Sequence, residues 1–386
     1  MKDRIRTLLL TAMGFRWQAK AAGTLLGLLG KRPTDPLPMG LHNHPWMLRL
    51  FPYGSLSYTR DWEEAFLAED RLEVTTCDVM NLAESLSCMR RIREYELIII
   101  MHSAVGDAVC TELIPFLAKR RSPLALFFGN EYDLMEKKIR FANAVAADYL
   151  CTQLPLQAAK FVYQDCTGEI VEMPHALNPS VYYDMGLARD VDIGFRGAAY
   201  HRVVGDTERT DLLRYFQNPQ NTPGFVTDVV EQMLPRDQWA RYLNRCKGIV
   251  GAESGTYYLD RGGKTITRVK KYLKKRPRAS MEELHERFFS RCGEVVSGKA
   301  VSSRHFEPMG TKTCQILVQG RYNGILTAGE HYIPVKKDLS DVDEALEKFR
   351  DSSLREKIAS QALEHALGGH TYAHRVRTLL QRMGAA

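Results

Sequence analysis

The chain has 386 residues, 45% of them hydrophobic and 26% charged, the balance of an ordinary globular protein rather than a fibrous or disordered one. That length is too great for one ordinary core and suits two domains; no apolar run reaches transmembrane length, and no cleavage pattern marks a signal peptide. A formal charge of +7 favours anionic partners, nucleotide phosphates or an acidic membrane surface, without choosing between them.

Residues 1–40 read as a basic leader. Within it Thr7–Phe15 is a short apolar patch, which would make a helix with Leu8, Leu9, Ala12 and Phe15 on one face, lying on a membrane or packed on its own domain, or else a floppy leader. Residues 31–61, rich in Pro, Gly and His, read as a loop region, and His42 and His44 lack the acid or cysteine cluster that would complete a metal site. An α/β rhythm follows. Trp62–Glu69 and Leu82–Tyr95 are predicted helices around a strand at Leu72–Thr75, and Leu97–Met101 (LIIIM) is the clearest buried parallel strand.

Strands at Pro123–Phe128, Ala147–Cys151 and Ile170–Met173 alternate with helices at Thr111–Lys119, Met135–Ala144 and Pro155–Tyr163. This spacing predicts a parallel, doubly wound sheet. The loops at its carboxyl ends carry His102, Asp107, Glu131, Asp133 and His175, where such folds bind ligands. Each is also the residue type that a strand end holds for structure alone. The eight cysteines form no CxxC pair and read as reduced core residues of a cytosolic protein, so no metal site is expected.

The rhythm then repeats. Asp190–Tyr200 (DVDIGFRGAAY) opens a second set, with a helix at Glu208–Phe216, a strand near Phe225–Val226, an amphipathic helix at Pro235–Leu243 and a buried strand at Gly248–Ala252. Gly194, Arg196 and Gly197 are candidates for a diphosphate, glycine for close backbone approach and arginine for its fork of donors. A salt bridge to a nearby acid is the other use of Arg196. The run Arg268–Arg278 could bind RNA, acidic lipid or a polyanionic acceptor, or form a solvated helix face, and no module of nucleic-acid recognition accompanies it. The GAESGTYYLDRGG loop (251–263) follows neither a dinucleotide nor a P-loop pattern.

Residues 302–338 concentrate the chemistry: Ser302-Ser303-Arg304-His305, then Glu307, then Pro308 as a proline of a first helical turn, then the strand Cys314–Val318 and a second strand His331–Val335. A helix start offers free N–H donors to a phosphate, and a carboxylate there can accept from the two hydroxyls of a ribose. A nucleotide site is the result. Ser340–Phe349 and Leu354–Leu367 are predicted helices, with Gly368-Gly369 ending the second.

The pattern SSRHFE…GTKT…Q…G…AGEHYIPVKKDLSD…EAL resembles the C-terminal half of group-1-type glycosyltransferases, in particular the spore-maturation CgeB-like branch. GNEYDLMEKKI, ADYLCTQLPL and MPHALNPSVYY resemble its N-terminal half. The resemblance runs from about residue 95 to residue 380. It implies the GT-B fold, two Rossmann-like domains facing across a cleft, here 41–185 on the acceptor side and 186–369 for the nucleotide-sugar. Residues 370–386 would form a helix that returns to the first domain.

It further implies a cytoplasmic, metal-independent hexosyltransferase with no cofactor, a UDP-sugar as default donor, and a surface or spore polysaccharide or glycolipid as acceptor. Peripheral contact with the inner face of an anionic membrane fits this, and no nucleic acid is expected. Glu307 falls on the ribose-binding glutamate, and Arg196, Gly197, Arg304, His305, Met309, Gly310 and Thr311 would hold the donor. His102, Glu131 and Asp133 are the acceptor-side candidates for a base, which a retaining enzyme would not need. Glu330 stands at the wrong distance from Glu307 to be the family's other glutamate. A chain that keeps the fold as a catalytically inactive nucleotide-sugar-binding or assembly protein is the alternative.

Overall fold

The computed structural model describes residues 4–384 except 15–16, 34, 36, 39–40, 42–43, 106–110, 200–201 and 291–295. His42 and Asp107 therefore lie outside the described residues. The chain divides into two units. The first takes Met1–Met173, Arg261–Gly263 and Leu379–Ala386; the second takes Pro174–Asp260 and Lys264–Thr378.

The first unit is a parallel six-stranded sheet of β1 (Ile5–Thr11), β2 (Leu72–Asp78), β3 (Leu97–Ile100), β4 (Leu124–Phe127), β5 (Tyr149–Thr152) and β6 (Glu169–Glu172), in the order β2-β1-β3-β4-β5-β6. β1 corrects the sequence reading of a leader. It is an interior strand, parallel to β2 and β3, with Leu8, Leu9 and Leu10 wholly buried. A strand covered on both faces is apolar without alternation, so over so few residues it cannot be told from one face of a helix by pattern.

Around the sheet lie α1 (Trp17–Leu28), α2 (Pro45–Leu50), α3 (Ser57–Leu67), α4 (Leu82–Arg90), α5 (His102–Val105), α6 (Ile114–Leu117), α7 (Met135–Ala144) and α8 (Leu156–Val162). Trp62 and Phe66 of α3 meet Phe127 of β4 edge-on, at ring separations of 5.0 and 6.0 Å. Strand order reverses between β1 and β3, and the N–H of Ala12 donates to the Ser103 hydroxyl across that point.

The second unit is a parallel five-stranded sheet of β7 (Val191–Arg196), β8 (Thr227–Val230), β9 (Cys246–Gly251), β10 (Cys314–Val318) and β11 (Ile333–Val335), in the order β11-β10-β9-β7-β8. Its helices are α9 (Glu208–Gln217), α10 (Arg236–Arg245), α11 (Lys264–Lys275), α12 (Met281–Leu284), α13 (Ser303–Gly310), α14 (Val342–Arg350), α15 (Ser352–Gly369) and α16 (Tyr372–Arg382), the last divided between the units. One core layer joins α10, α13 and α15 to the sheet through Trp239, Leu243, Phe306, Met309 and Ala366; another joins α9 and α14 to it through Leu212, Phe216, Ile316 and Phe349. The break at Met173–Pro174 falls before the expected 185/186, so His175 belongs to the second unit.

Asp190 and Asp192 stand at the amino end of β7. Asp190 is bidentate with Arg245, and Asp192 pairs with Lys247 at 2.6 Å. The DxD string is thus two ion pairs at the end of the sheet away from its ligand-binding edge.

Candidate functional site

In open parallel sheets a ligand sits beyond the carboxyl ends of the strands where strand order reverses. In the second unit that point lies between β7 and β9, at Arg196-Gly197 and Ala252-Glu253. β7 ends there with Arg196, and α13 carries Arg304, His305 and Glu307.

Ser302 caps α13, and the His305 ring turns back so that Nδ1 accepts from the Ser302 N–H at 2.9 Å. Burial, with the Arg209 charge as a second cause, holds the His305 pKa down to about 3, so the ring is neutral. His305 therefore fixes the helix start, its Nδ1 being engaged there. Arg304 projects from the first turn. Its guanidinium lies 4.4 Å over the Trp239 ring, and one terminal nitrogen donates to the Arg196 carbonyl at 3.2 Å. Two more contacts follow from there: Trp239 stacks on Tyr242 at 5.8 Å, and Tyr242 carries the Arg196 guanidinium at 4.5 Å.

Glu307 lies beneath this ladder, 1% exposed, with Oε2 accepting from the Trp239 indole N–H at 2.7 Å and 3.9 Å from Arg304 Nε. Arg196 is engaged as well. It meets the Asp228 carboxylate at 2.5 Å, which realises the salt-bridge use that the sequence left open. Arg304, with its side chain 31% exposed against 15% for Arg196, is the more accessible cation of the two.

Two expectations are overturned by α13. Pro308 stands inside the helix, not in its first turn, and Met309, Gly310 and Thr311 form its end. The last turn of a helix has spare carbonyls rather than spare N–H groups, so those three cannot cradle a phosphate. Their role is packing. A Cβ on Gly310 would stand 2.3 Å from the Tyr182 carbonyl, and the Thr311 hydroxyl donates to the Pro308 carbonyl at 3.1 Å. Gly194 is likewise a packing glycine, since a Cβ there would come within 2.6 Å of Cys246 Sγ and of the Tyr242 hydroxyl.

A second group of charges at the same edge escaped the sequence reading. Lys299, almost wholly buried, lies 2.9 Å from Asp206 and 3.7 Å from Glu208, with Nζ 4.6 Å over the Tyr257 ring. Lys337, just past β11, pairs with Glu208 at 3.1 Å, with Nζ 4.3 Å from the centroid of that ring. Burial raises the pKa of Asp206, with the Lys299 charge opposing it. Glu253, 4% exposed, accepts from the Tyr322 N–H at 2.7 Å. The available signal was the KKD after the last strand.

In the first unit His102 opens α5 directly after β3, at the point where strand order reverses. It is 9% exposed and stacked at a tilt on Tyr58 at 5.0 Å; burial, then the Lys138 charge, brings its pKa down to about 4. Glu131, 4% exposed, accepts from the Thr152 and Tyr163 hydroxyls at 2.5 Å each and from the Gln153 N–H at 2.8 Å. Both its oxygens are thus spent on tying the β4 and β5 loops together, which is a structural duty. Asp133 is half-buried in a loop whose carbonyls at Gly129 and Asn130 accept from Lys138 Nζ at 2.6 and 3.0 Å. His175 is buried and bonds the Tyr372 hydroxyl within the second unit.

A family model described as glycosyl transferase-like matches residues 273–381, a little over a quarter of the chain and the part that holds α13, β10 and β11. No curated protein matches the chain. Among solved structures, sucrose-phosphate synthase from Thermosynechococcus elongatus is similar at 12% identity and TM-score 0.51, over 99% of this chain and 100% of that one. Anabaena Alr3699/HepE in complex with UDP-glucose is similar at 12% identity and TM-score 0.47, over 99% and 100%. AviGT4, a glycosyltransferase involved in avilamycin A biosynthesis, is similar at 9% identity and TM-score 0.47, over 99% and 98%. The first of these likenesses shows the fold: two parallel-sheet α/β units of the GT-B kind. Together the family match and that fold support a glycosyltransferase.

Proposed function

We propose that the chain transfers a glycosyl group from a nucleoside-diphosphate sugar to a carbohydrate or glycolipid acceptor, without a metal and in the cytoplasm at or near a membrane face. The observation that carries this is Arg304, a part-exposed guanidinium on the first turn of α13, stacked on Trp239 and beside Glu307 at the reversal point of the second sheet. The same turn lies in the glycosyl transferase-like segment.

In this reading Arg304, backed by the Arg196–Asp228 pair, neutralises the charge that gathers on the departing diphosphate. Glu307 accepts from the ribose hydroxyls, and it must give up part of its bond to Trp239 to do so. UDP as the nucleotide follows the family resemblance, and Alr3699/HepE has been solved with UDP-glucose. On the acceptor side His102 is the candidate base, neutral and beside the reversal point of the first sheet, whereas Glu131 spends both its oxygens on three accepted bonds.

The test is calorimetric titration of UDP, GDP, ADP, CMP and dTDP into the protein and its Arg304→Gln variant. Saturable binding of one nucleotide, weakened roughly tenfold by the loss of one charge-assisted contact, supports the reading. A protein that binds none of the five is not a transferase of this kind.

A further inference from the structure

α1 is turned inside out. Its buried face is small, Ala19 and Gly23, and a Cβ on Gly23 would stand 3.0 Å from the Met80 carbonyl. Its outer face is large and apolar: Trp17, Leu25 and Leu28 are 75, 62 and 73% exposed, and Leu29 just beyond is 68% exposed. Trp17, Ala21, Leu25 and Leu28 recur at steps of four, four and three, which sets them in one stripe along the helix. α4, which packs on α1 and donates its Leu82 N–H to Thr24, adds exposed Leu82 and Leu86. On α2, Trp46 and Leu48 are exposed too. Soluble surfaces seldom show so much apolar area along one helix and its neighbour without a partner.

The charge around these elements indicates which partner. Of the cations in residues 1–60, Arg6, Lys20 and Arg32 are paired with Glu96, Glu112 and Glu63. Lys31, following α1, and Arg49, on α2, are exposed. A surface that is apolar beneath and anionic above meets both features. Tryptophan favours the headgroup level, leucine the acyl boundary, and cations the anionic headgroups. A polyanion would leave the leucines in water, and a second copy would set Lys31 and Arg49 against the same cations.

We infer that α1 is a monotopic anchor that lays its Trp17–Leu29 stripe into an anionic lipid surface, with Lys31 and Arg49 on the headgroups. No helix among the described residues is long and apolar enough to cross a membrane, so the attachment is interfacial. The inference does not rest on the transferase reading, because it is measured without donor or acceptor.

The experiment is flotation of the full chain with vesicles of phosphatidylcholine alone or with about one third phosphatidylglycerol. The expected result is binding to the anionic vesicles, at least about tenfold weaker to the neutral ones and weakened by salt. Leu25→Ser/Leu28→Ser/Leu29→Ser should abolish it while leaving the melting temperature unchanged. Lys31→Glu/Arg49→Glu should remove the preference for anionic lipid. Three results overturn the inference: no binding to either vesicle, undiminished binding of the leucine variant, or a dimer in light scattering that the leucine variant dissolves. Binding lost instead through Lys264→Glu/Arg268→Glu/Lys271→Glu/Lys275→Glu on α11, with the leucine variant still bound, would place the contact elsewhere and also overturn it.

Discussion

Glu307 and Trp239 hold one another below the surface, and each is costly to leave alone. Trp239→Phe keeps the ring but strips the N–H, leaving a buried carboxylate oxygen short of a donor. A loss of about 1–3 kcal/mol in urea unfolding is expected. Glu307→Gln should keep the fold and weaken nucleotide binding; unchanged affinity in a folded variant would remove it from the ribose site. His305 predicts a pH effect whose sign can be worked out. Its ring is neutral in the native chain down to a pKa of about 3, whereas an unfolded histidine takes up a proton below about 6.5. Between those values the unfolded state binds more protons, so this residue makes stability fall as pH falls. His305→Asn, whose Oδ1 can accept the Ser302 N–H in place of Nδ1, should lessen the loss from pH 7 to pH 5 by on the order of 2 kcal/mol. Asp78, raised to about 6 by burial, acts in the opposite sense, so only the difference between variant and parent isolates the ring. Residue types and motif spacing picked out Arg304, His305 and Glu307, but not their depth. Whether a polar side chain faces the edge or the core depends on which neighbours cover it, and Trp239 lies 68 positions from Glu307.

Among the elements, β1 matters most to the first unit, since it links β2 to β3. Removing residues 1–12 as a dispensable leader should yield insoluble protein, read as loss of the monomer peak in gel filtration, because β2 and β3 are then left without their shared partner. Leu9→Ala in the same strand should cost about 2–5 kcal/mol. Alternating strands and helices were legible in both halves, because LIIIM and CQILV are too short for a helix and too apolar for a loop. The first strand was not, since its apolar run sits between basic residues and resembles an amphipathic helix. The helix that does present an apolar face is the next one, α1. Its exposed leucines follow a buried face of Ala and Gly, a reversal that local pattern does not reveal.

At the scale of the whole molecule, two parallel sheets were expected and two are present, and the alternation that predicted them is the same in each half. Transfer activity with a UDP-sugar should survive chelation by excess EDTA; a strict requirement for manganese or magnesium would contradict the metal-free mechanism. The division of the chain has a further consequence, for synthesis. The first unit is begun by residue 5 but includes Leu379 and Leu380, both wholly buried, in its last segment. A ribosome making this protein from its N-terminus therefore releases the second unit's sheet before the first unit is complete. Until the final residues emerge, the nascent chain carries an unfinished core. Stalling or truncation near residue 375 should leave a product that chaperones hold and proteases clear, although both sheets have already been translated in full.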